Sequence, residues 1–240
     1  FFVERGSGLG LVAERLQLQG LIDNGTVFQM MGRLLGKQGE VKRGEYRIPA
    51  GASMADILHE ITEGRPVQYA VTVPEGFTSW QVVDLLSRDD LLTGTVDMVP
   101  EEGALLPQTY AYDRGADRNA VLAQMRKAQA DKLAEIWAGR DPDLPLASPE
   151  ELVILASVVE KETGIASERP LVAAVFVNRL KKGMKLQSDP TVIYGVTLGQ
   201  GPLGRGLRKS ELEARKPYNT YQIAGLPKGP IANPGEASMR

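Results

Sequence analysis

The chain has 240 residues, 42% of them hydrophobic and 24% charged, with a formal net charge of -2. That composition buries a core and creates no field that would draw nucleic acid or an acidic membrane surface. There is no cysteine and a single histidine, His59, which excludes disulfides and thiolate chemistry and argues against a zinc site or a serine–histidine triad.

Acid–base work therefore falls to carboxylates, lysine and tyrosine, and no metal or organic cofactor is expected. No run of about 18 apolar residues is present to span a bilayer. The chain begins at Phe1 and stops at Arg240. It reads as an ectodomain whose flanking segments, an N-terminal anchor among them, have been removed.

A degenerate unit recurs in the first 90 residues: ERGSGLGLVAERL (4–16), IPAGASMADILHEI (48–61) and VPEGFTSWQVVDLL (73–86). Each joins a Gly-containing turn to apolar residues at helical spacing. Ser53 is a natural N-cap for Met54, Ile57, Leu58 and Ile61, and Thr78 or Ser79 for Trp80, Val83 and Leu86. GEYRI (44–48) and QYAVTV (68–73) read as strands. The rhythm predicts a small α+β module over 1–66. It is either a generic folding unit or a LysM-type glycan-recognition module with two strands and two short helices.

Residues 87–118 read as loop. A long amphipathic helix is predicted from Asp117 to Trp137, its inner side carrying Val121, Leu122, Met125, Ala128, Leu133 and Ile136. After a linker, Ser148, Pro149 and Glu151 mark a helix start. The run LVILASVV (152–159) follows, and then Glu160 and Glu162. A further helix is predicted over 167–182, closed by Gly183. Long Gly- and Pro-rich loops fill the rest, and loops of that length are more often sites than spacers.

Glu160 and Glu162 point about 200° apart on a helix, so they cannot share one pocket. Small residues, Ala156, Ser157 and Gly164, line the flank of Glu160, whereas Leu155 and Val158 line that of Glu162. Room for a substrate favours Glu160 as the functional acid, with Glu162 second. The competing reading is that both carboxylates frame the solvated end of a core helix. Asn178 is either a core amide or a ligand. Gln187, Ser188 and Asp189 precede Pro190 in a turn or extended segment. Tyr218, Asn219, Thr220 and Tyr221 either stack on and hydrogen-bond a sugar or pack a loop. The basic cluster around Arg205, Arg208 and Lys209 is interrupted by Glu211 and Glu213 and reads as a solvated face.

The block ASVVEKETGIASERPLVAAVFVNRLKKGMKLQSDPTVIYG (156–195), with PYNTYQIAGLPKGPIANPG (217–235), EGALLPQTY (102–110) and RGEYRIPAGASMADIL (43–58), resembles the YceG-like endolytic murein transglycosylases. The resemblance implies an α+β protein, with an N-terminal LysM-like βααβ module over 1–66 followed by a mixed α/β catalytic domain over 67–240. It implies cleavage of MurNAc–GlcNAc β-1,4 bonds within peptidoglycan strands, leaving 1,6-anhydro-MurNAc ends. One glutamate serves as acid and then as base, and the motif places it at Glu160. Gln187, Ser188, Asp189, Asn178, Tyr218, Asn219, Thr220 and Tyr221 are implied pocket residues.

The family also implies a single-pass inner-membrane protein facing the periplasm, peptidoglycan strands as substrate and cell-wall synthases (penicillin-binding proteins) as partners. Against the family pattern, the chain ends soon after IANPG, lacks the transmembrane helix and carries Gln108 where an acid is expected. Two rival readings share the residues. One is a muramidase-type hydrolase in which Asp189 or Glu162 activates water, and the other is a non-catalytic wall-binding scaffold.

Overall fold

In the computed structural model, which describes residues 1–240, the chain divides into two units. Unit 1 comprises residues 1–70, 91–93 and 111–116, and unit 2 comprises 71–90, 94–110 and 117–240. The first 70 residues thus stay together, a little past the division expected at 66, and two later segments return to them.

Unit 1 runs β1 (Phe2–Val3), α1 (Leu9–Leu18), α2 (Gly25–Leu34), β2 (Gly44–Glu45) and α3 (Met54–Thr62). β1 and β2 pair antiparallel, with Phe2 opposite Glu45 and Val3 opposite Gly44. Ser53 caps α3 as predicted, in a reciprocal box with Asp56. The sequence pattern missed α2. Its start is set by Asn24, whose Oδ1 accepts the N–H groups of Thr26 and Val27 at 3.0 and 3.1 Å. Its apolar residues do recur at helical spacing, Val27, Met30, Met31 and Leu34, but Val27, Met30 and Leu34 of that stripe are exposed, and Phe28 is the large side chain that enters the core. Leu16, Phe28, Tyr46, Ile57 and Ile61 form the centre of this unit's core.

β3 (Gln68–Thr72) and β4 (Thr109–Asp113) make a second two-stranded sheet. α4 (Ser79–Ser87) lies between them in sequence and is capped by Thr78 and Gln81. The rest of unit 2 is helical: α5 (Arg118–Ala138), α6 (Pro149–Glu162), α7 (Arg169–Lys181), α8 (Asp189–Thr197), α9 (Lys209–Glu213) and α10 (Glu236–Met239). Apart from the ends of β3 and β4, the extended pairing in unit 2 is an isolated parallel bridge between Lys185 and Gly225. The protein is α+β, but the mixed α/β character expected of 67–240 gives way to helices.

α6 is the axis of unit 2. Leu152, Val153, Leu155, Ala156, Ser157, Val158 and Val159 are all buried, as a helix apolar on every side must be. α5, α7, α8 and α10 pack around it. Its one hydroxyl is used internally: Ser157 Oγ donates to Ile154 O at 2.7 Å and accepts Ile231 N–H at 3.0 Å. Each large aliphatic side chain buried here stabilises the unit by roughly 1.5–3 kcal/mol. α8 stands where a loop was expected. Pro190 falls at the first turn of a helix, where its missing N–H costs nothing, so the residue that suggests a turn opens a helix instead.

Candidate active site at the end of helix α6

The two glutamates at the end of α6 diverge, as their spacing requires, but their environments are the reverse of those expected. Glu160 is enclosed, with its side chain 7% exposed. Its Oε2 accepts the Gly235 N–H at 2.9 Å and the Ser238 hydroxyl at 2.7 Å. Its Oε1 lies 3.5 Å from Arg169, which also faces Glu75 at 3.6 Å. The small residues on this flank admit protein backbone at Gly235.

Two glycines make that enclosure possible. Gly76, at φ +74°, passes against the Glu160 and Lys161 side chains. At Gly235, any Cβ would collide with Glu75. Lys161 Nζ donates to Gly76 O at 3.2 Å and closes the collar. The expectation that Glu160 opens onto a substrate groove is therefore corrected: both of its oxygens are already occupied by protein groups.

Glu162 is exposed. Its Oε2 accepts a 2.8 Å hydrogen bond from Ser188 Oγ, which ties the end of α6 to the start of α8. Ser188 is buried, and its own N–H donates to Thr220 Oγ1 at 3.0 Å. Asp189 follows, exposed, and accepts the Tyr221 hydroxyl at 2.7 Å. That hydrogen bond, then burial and the nearby Asp189 and Glu162 charges, push the Tyr221 hydroxyl up to about 12. Arg179 donates to Leu186 O behind this cluster.

Gln187 sits at φ +53°, a left-handed conformation uncommon outside glycine. Such strain costs on the order of 1–3 kcal/mol and persists only where neighbours impose it. Here Thr220 imposes it on both sides: its carbonyl accepts Gln187 N–H at 3.1 Å while its hydroxyl takes Ser188 N–H. The backbone at Gln187 is thus fixed next to Ser188, the partner of Glu162, and the Gln187 side chain is exposed. A cavity of about 530 Å³ opens beside Lys161 and Pro190, the chain neighbours of Glu162 and Asp189. Ile193, Tyr194, Pro202 and Leu203 line it.

Two expected pocket residues, Asn219 and Thr220, are engaged inside the protein, and two others, Tyr218 and Asn178, are not bound in the Glu162 cluster. Asn219 is buried, and its Nδ2 donates to the carbonyls of Glu211, Leu212 and Ala214 at 3.0, 3.0 and 2.7 Å. Thr220 is fully buried and bonds Thr191 Oγ1 at 2.8 Å. Tyr218 packs edge-on against Tyr194 with ring centroids 4.9 Å apart. Asn178 is exposed on the α7 face that carries Leu171 and Val175, without a side-chain hydrogen bond. Asn219 and Thr220 are corrected from ligand to scaffold, whereas Tyr218 stays half-buried and Asn178 makes no hydrogen bond within the Glu162 cluster. Asn219→Ala should destabilise the protein by roughly 2–3 kcal/mol, the cost of stranding buried acceptors. Denaturant unfolding measures that.

Sequence reading missed the Glu75–Arg169–Glu160 cluster and a second buried acid, Glu102. Glu102 Oε1 accepts Ser79 N–H at 2.7 Å and Asn233 Nδ2 at 3.3 Å. Asn233, fully buried, also accepts Leu105 N–H at 3.0 Å. The EGALLP and IANPG segments therefore meet through these two side chains. Burial raises the Glu102 carboxyl above its ordinary value of 4.5, and the Ser79 and Tyr194 hydrogen bonds oppose that shift. A raised acid contributes stability that is present below its unfolded value and lost as pH climbs through the folded one. Glu102→Gln keeps an acceptor and removes the titration. Its melting temperature should fall less than that of the wild type as pH rises above 4.5, and an equal fall in both would contradict this assignment.

A family model described as the YceG-like family matches residues 1–240, the whole chain. The chain belongs to the YceG-like family. The endolytic murein transglycosylase of Bacillus subtilis (strain 168) is 29% identical to it, over 98% of this chain and 72% of that protein. The enzyme of the same name from Streptococcus pneumoniae serotype 2 (strain D39 / NCTC 7466) is 25% identical over 97% of this chain. The chain spans about half of that relative's length (49%). A crystal structure of a yceG-like protein from Listeria monocytogenes superposes with a TM-score of 0.54 at 26% identity. That alignment covers 99% of this chain and 86% of the other. Membership in the family accounts for the quoted motifs, and the geometry shows what they build: the VEKET and QSDP segments meet at the Ser188–Glu162 hydrogen bond.

Proposed function

We propose that this YceG-like protein is an endolytic murein transglycosylase and that Glu162, rather than Glu160, is its acid and base. The observation that carries this is the contrast at the end of α6. One carboxylate is occupied by Gly235, Ser238 and Arg169, while the other is exposed beside a strained glutamine, an aspartate and a tyrosine. The names of the relatives supply the substrate class.

In the first step Glu162, as the acid, gives its proton to the GlcNAc O4 as the C1–O4 bond of MurNAc breaks. In the second, the resulting carboxylate takes the proton of the same MurNAc's C6 hydroxyl as that oxygen bonds to C1. Atoms balance without water, and the glutamate returns to its starting state. An intramolecular nucleophile supplies the effective concentration that a second carboxylate and a water would otherwise provide. Gln187, Asp189 and Tyr221 hold sugar hydroxyls and the N-acetyl group, and Ser188 orients Glu162. The cavity beside Lys161 and Pro190 receives the adjoining sugars, its apolar walls against their C–H faces.

The β1–α1–α2–β2 order of unit 1, with β1 and β2 paired, supports reading residues 1–66 as a LysM-like glycan-binding module ahead of a catalytic region over 67–240. The family resemblance supports an inner-membrane anchor, a periplasmic orientation and cell-wall synthases as partners. No helix of this chain is long and apolar enough to cross a membrane.

Mass spectrometry of products from purified glycan strands tests the reaction. Anhydro-MurNAc ends, lighter by one water than reducing ends, are expected. Reducing ends would establish a hydrolase, and intact strands a scaffold.

A further inference from the structure

Unit 2 has another cavity, of about 720 Å³, between α5, the N-terminal half of α6 and the segments 98–104 and 228–230. Its wall is largely apolar, with Met98, Val99, Leu133, Val153, Ile154 and Pro230. Met98 is 76% exposed at its edge. Three charged residues on the same wall have unpaired side chains. Arg126, Lys228 and Glu101 are exposed, and none is in a salt bridge or side-chain hydrogen bond. An apolar trough rimmed by free charges of both signs matches a ligand with small apolar groups, carboxylates and an amine.

We infer that this cavity binds the peptide stem of the strand being cut, an inference that rests on the reading of Glu162 as the site of cleavage. Peptidoglycan stems carry alanine methyls, free carboxylates and the amino group of a diamino acid. The carboxylates meet Arg126 and Lys228, the amine meets Glu101, and the methyls lie on Val153 and Ile154. The reach agrees. Ile154 and Glu150 lie roughly 12 and 18 Å from Glu162 along α6 at 1.5 Å per residue. A five-residue stem in extended form spans about 17 Å. The cavity thus distinguishes peptide-bearing strands from stripped ones at a distance from the chemistry.

The test has two arms, each with wild type and an Arg126→Glu/Lys228→Glu double variant. In the first, a synthetic stem pentapeptide is titrated into labelled protein and followed by amide NMR. Shifts at Arg126, Ile154 and Lys228 are expected, with affinity weakened at least tenfold in the variant. In the second, KM and kcat are measured on stem-bearing strands and on strands stripped by an amidase. The variant should raise KM on stem-bearing strands alone and leave kcat unchanged. Absence of shifts at these residues, or equal KM for both strands in the wild type, overturns the stem site while leaving the transglycosylase reading intact. Peptide binding at the cavity by a wild type that cuts neither strand overturns the transglycosylase reading and leaves the cavity's chemistry standing.

Discussion

Glu162→Gln should lower turnover on glycan strands by roughly 10²–10⁴-fold, the usual worth of a positioned general acid–base, with an unchanged melting temperature. Gln keeps an acceptor for the Ser188 hydroxyl, so the link between α6 and α8 survives the exchange. What it loses is a proton to give and then retrieve. KM should change little, because the groups assigned to hold the sugars, Gln187, Asp189 and Tyr221, are untouched. A progress curve on purified strands with a thermal melt on the same sample reads both quantities. A variant that cuts at more than a tenth of the wild-type rate would remove Glu162 from the chemistry.

Glu160→Ala should act on stability instead. Arg169 is 14% exposed at its side chain and would lose one of its two carboxylates, keeping only Glu75, itself 46% exposed. Gly235 N–H and the Ser238 hydroxyl would lose their acceptor at the same time. Breaking a buried pair from one side costs roughly 3–5 kcal/mol. At about 2–4 °C per kcal/mol for a protein of this size, the melting temperature should fall by about 6–20 °C. The segment around Gly235–Ser238 should loosen first, since Glu160 accepts both the Gly235 N–H and the Ser238 hydroxyl. Hydrogen exchange at Gly235 would report this directly. Unaltered protection there would mean that the collar is held by other contacts.

The fold was legible where a single local rule decides it. Ser53, Thr78 and Ser148 cap helices α3, α4 and α6 because a hydroxyl in extended backbone accepts the third amide onward. The apolar run 152–159 became the central helix for the reason its composition gives. α2 and α8 were not legible. The first carries its apolar spacing, Val27, Met30 and Leu34, on an outward face while Phe28 enters the core, and the second opens with a proline that also signals a turn.

At the site, the sequence placed Glu160 and Glu162 on opposite flanks correctly, because helical geometry alone fixes that angle. It could not say which flank was open. Small residues beside Glu160 are compatible with a bound sugar or with a returning backbone, and only the position of residues 235–238, some 75 positions later in the chain, decides between them. The same limit explains Asn219 and Thr220. Their side chains suit sugar recognition, yet tertiary structure turns both inward to satisfy carbonyls and hydroxyls of neighbouring loops.

The most direct test of the account is the activity of Glu160→Gln. Gln at this position still offers an oxygen to Gly235 and Ser238, so the protein should fold and continue to produce anhydro-MurNAc ends. A folded Glu160→Gln variant, with a wild-type melting temperature and no turnover, would return the chemistry to the enclosed carboxylate and contradict the assignment to Glu162.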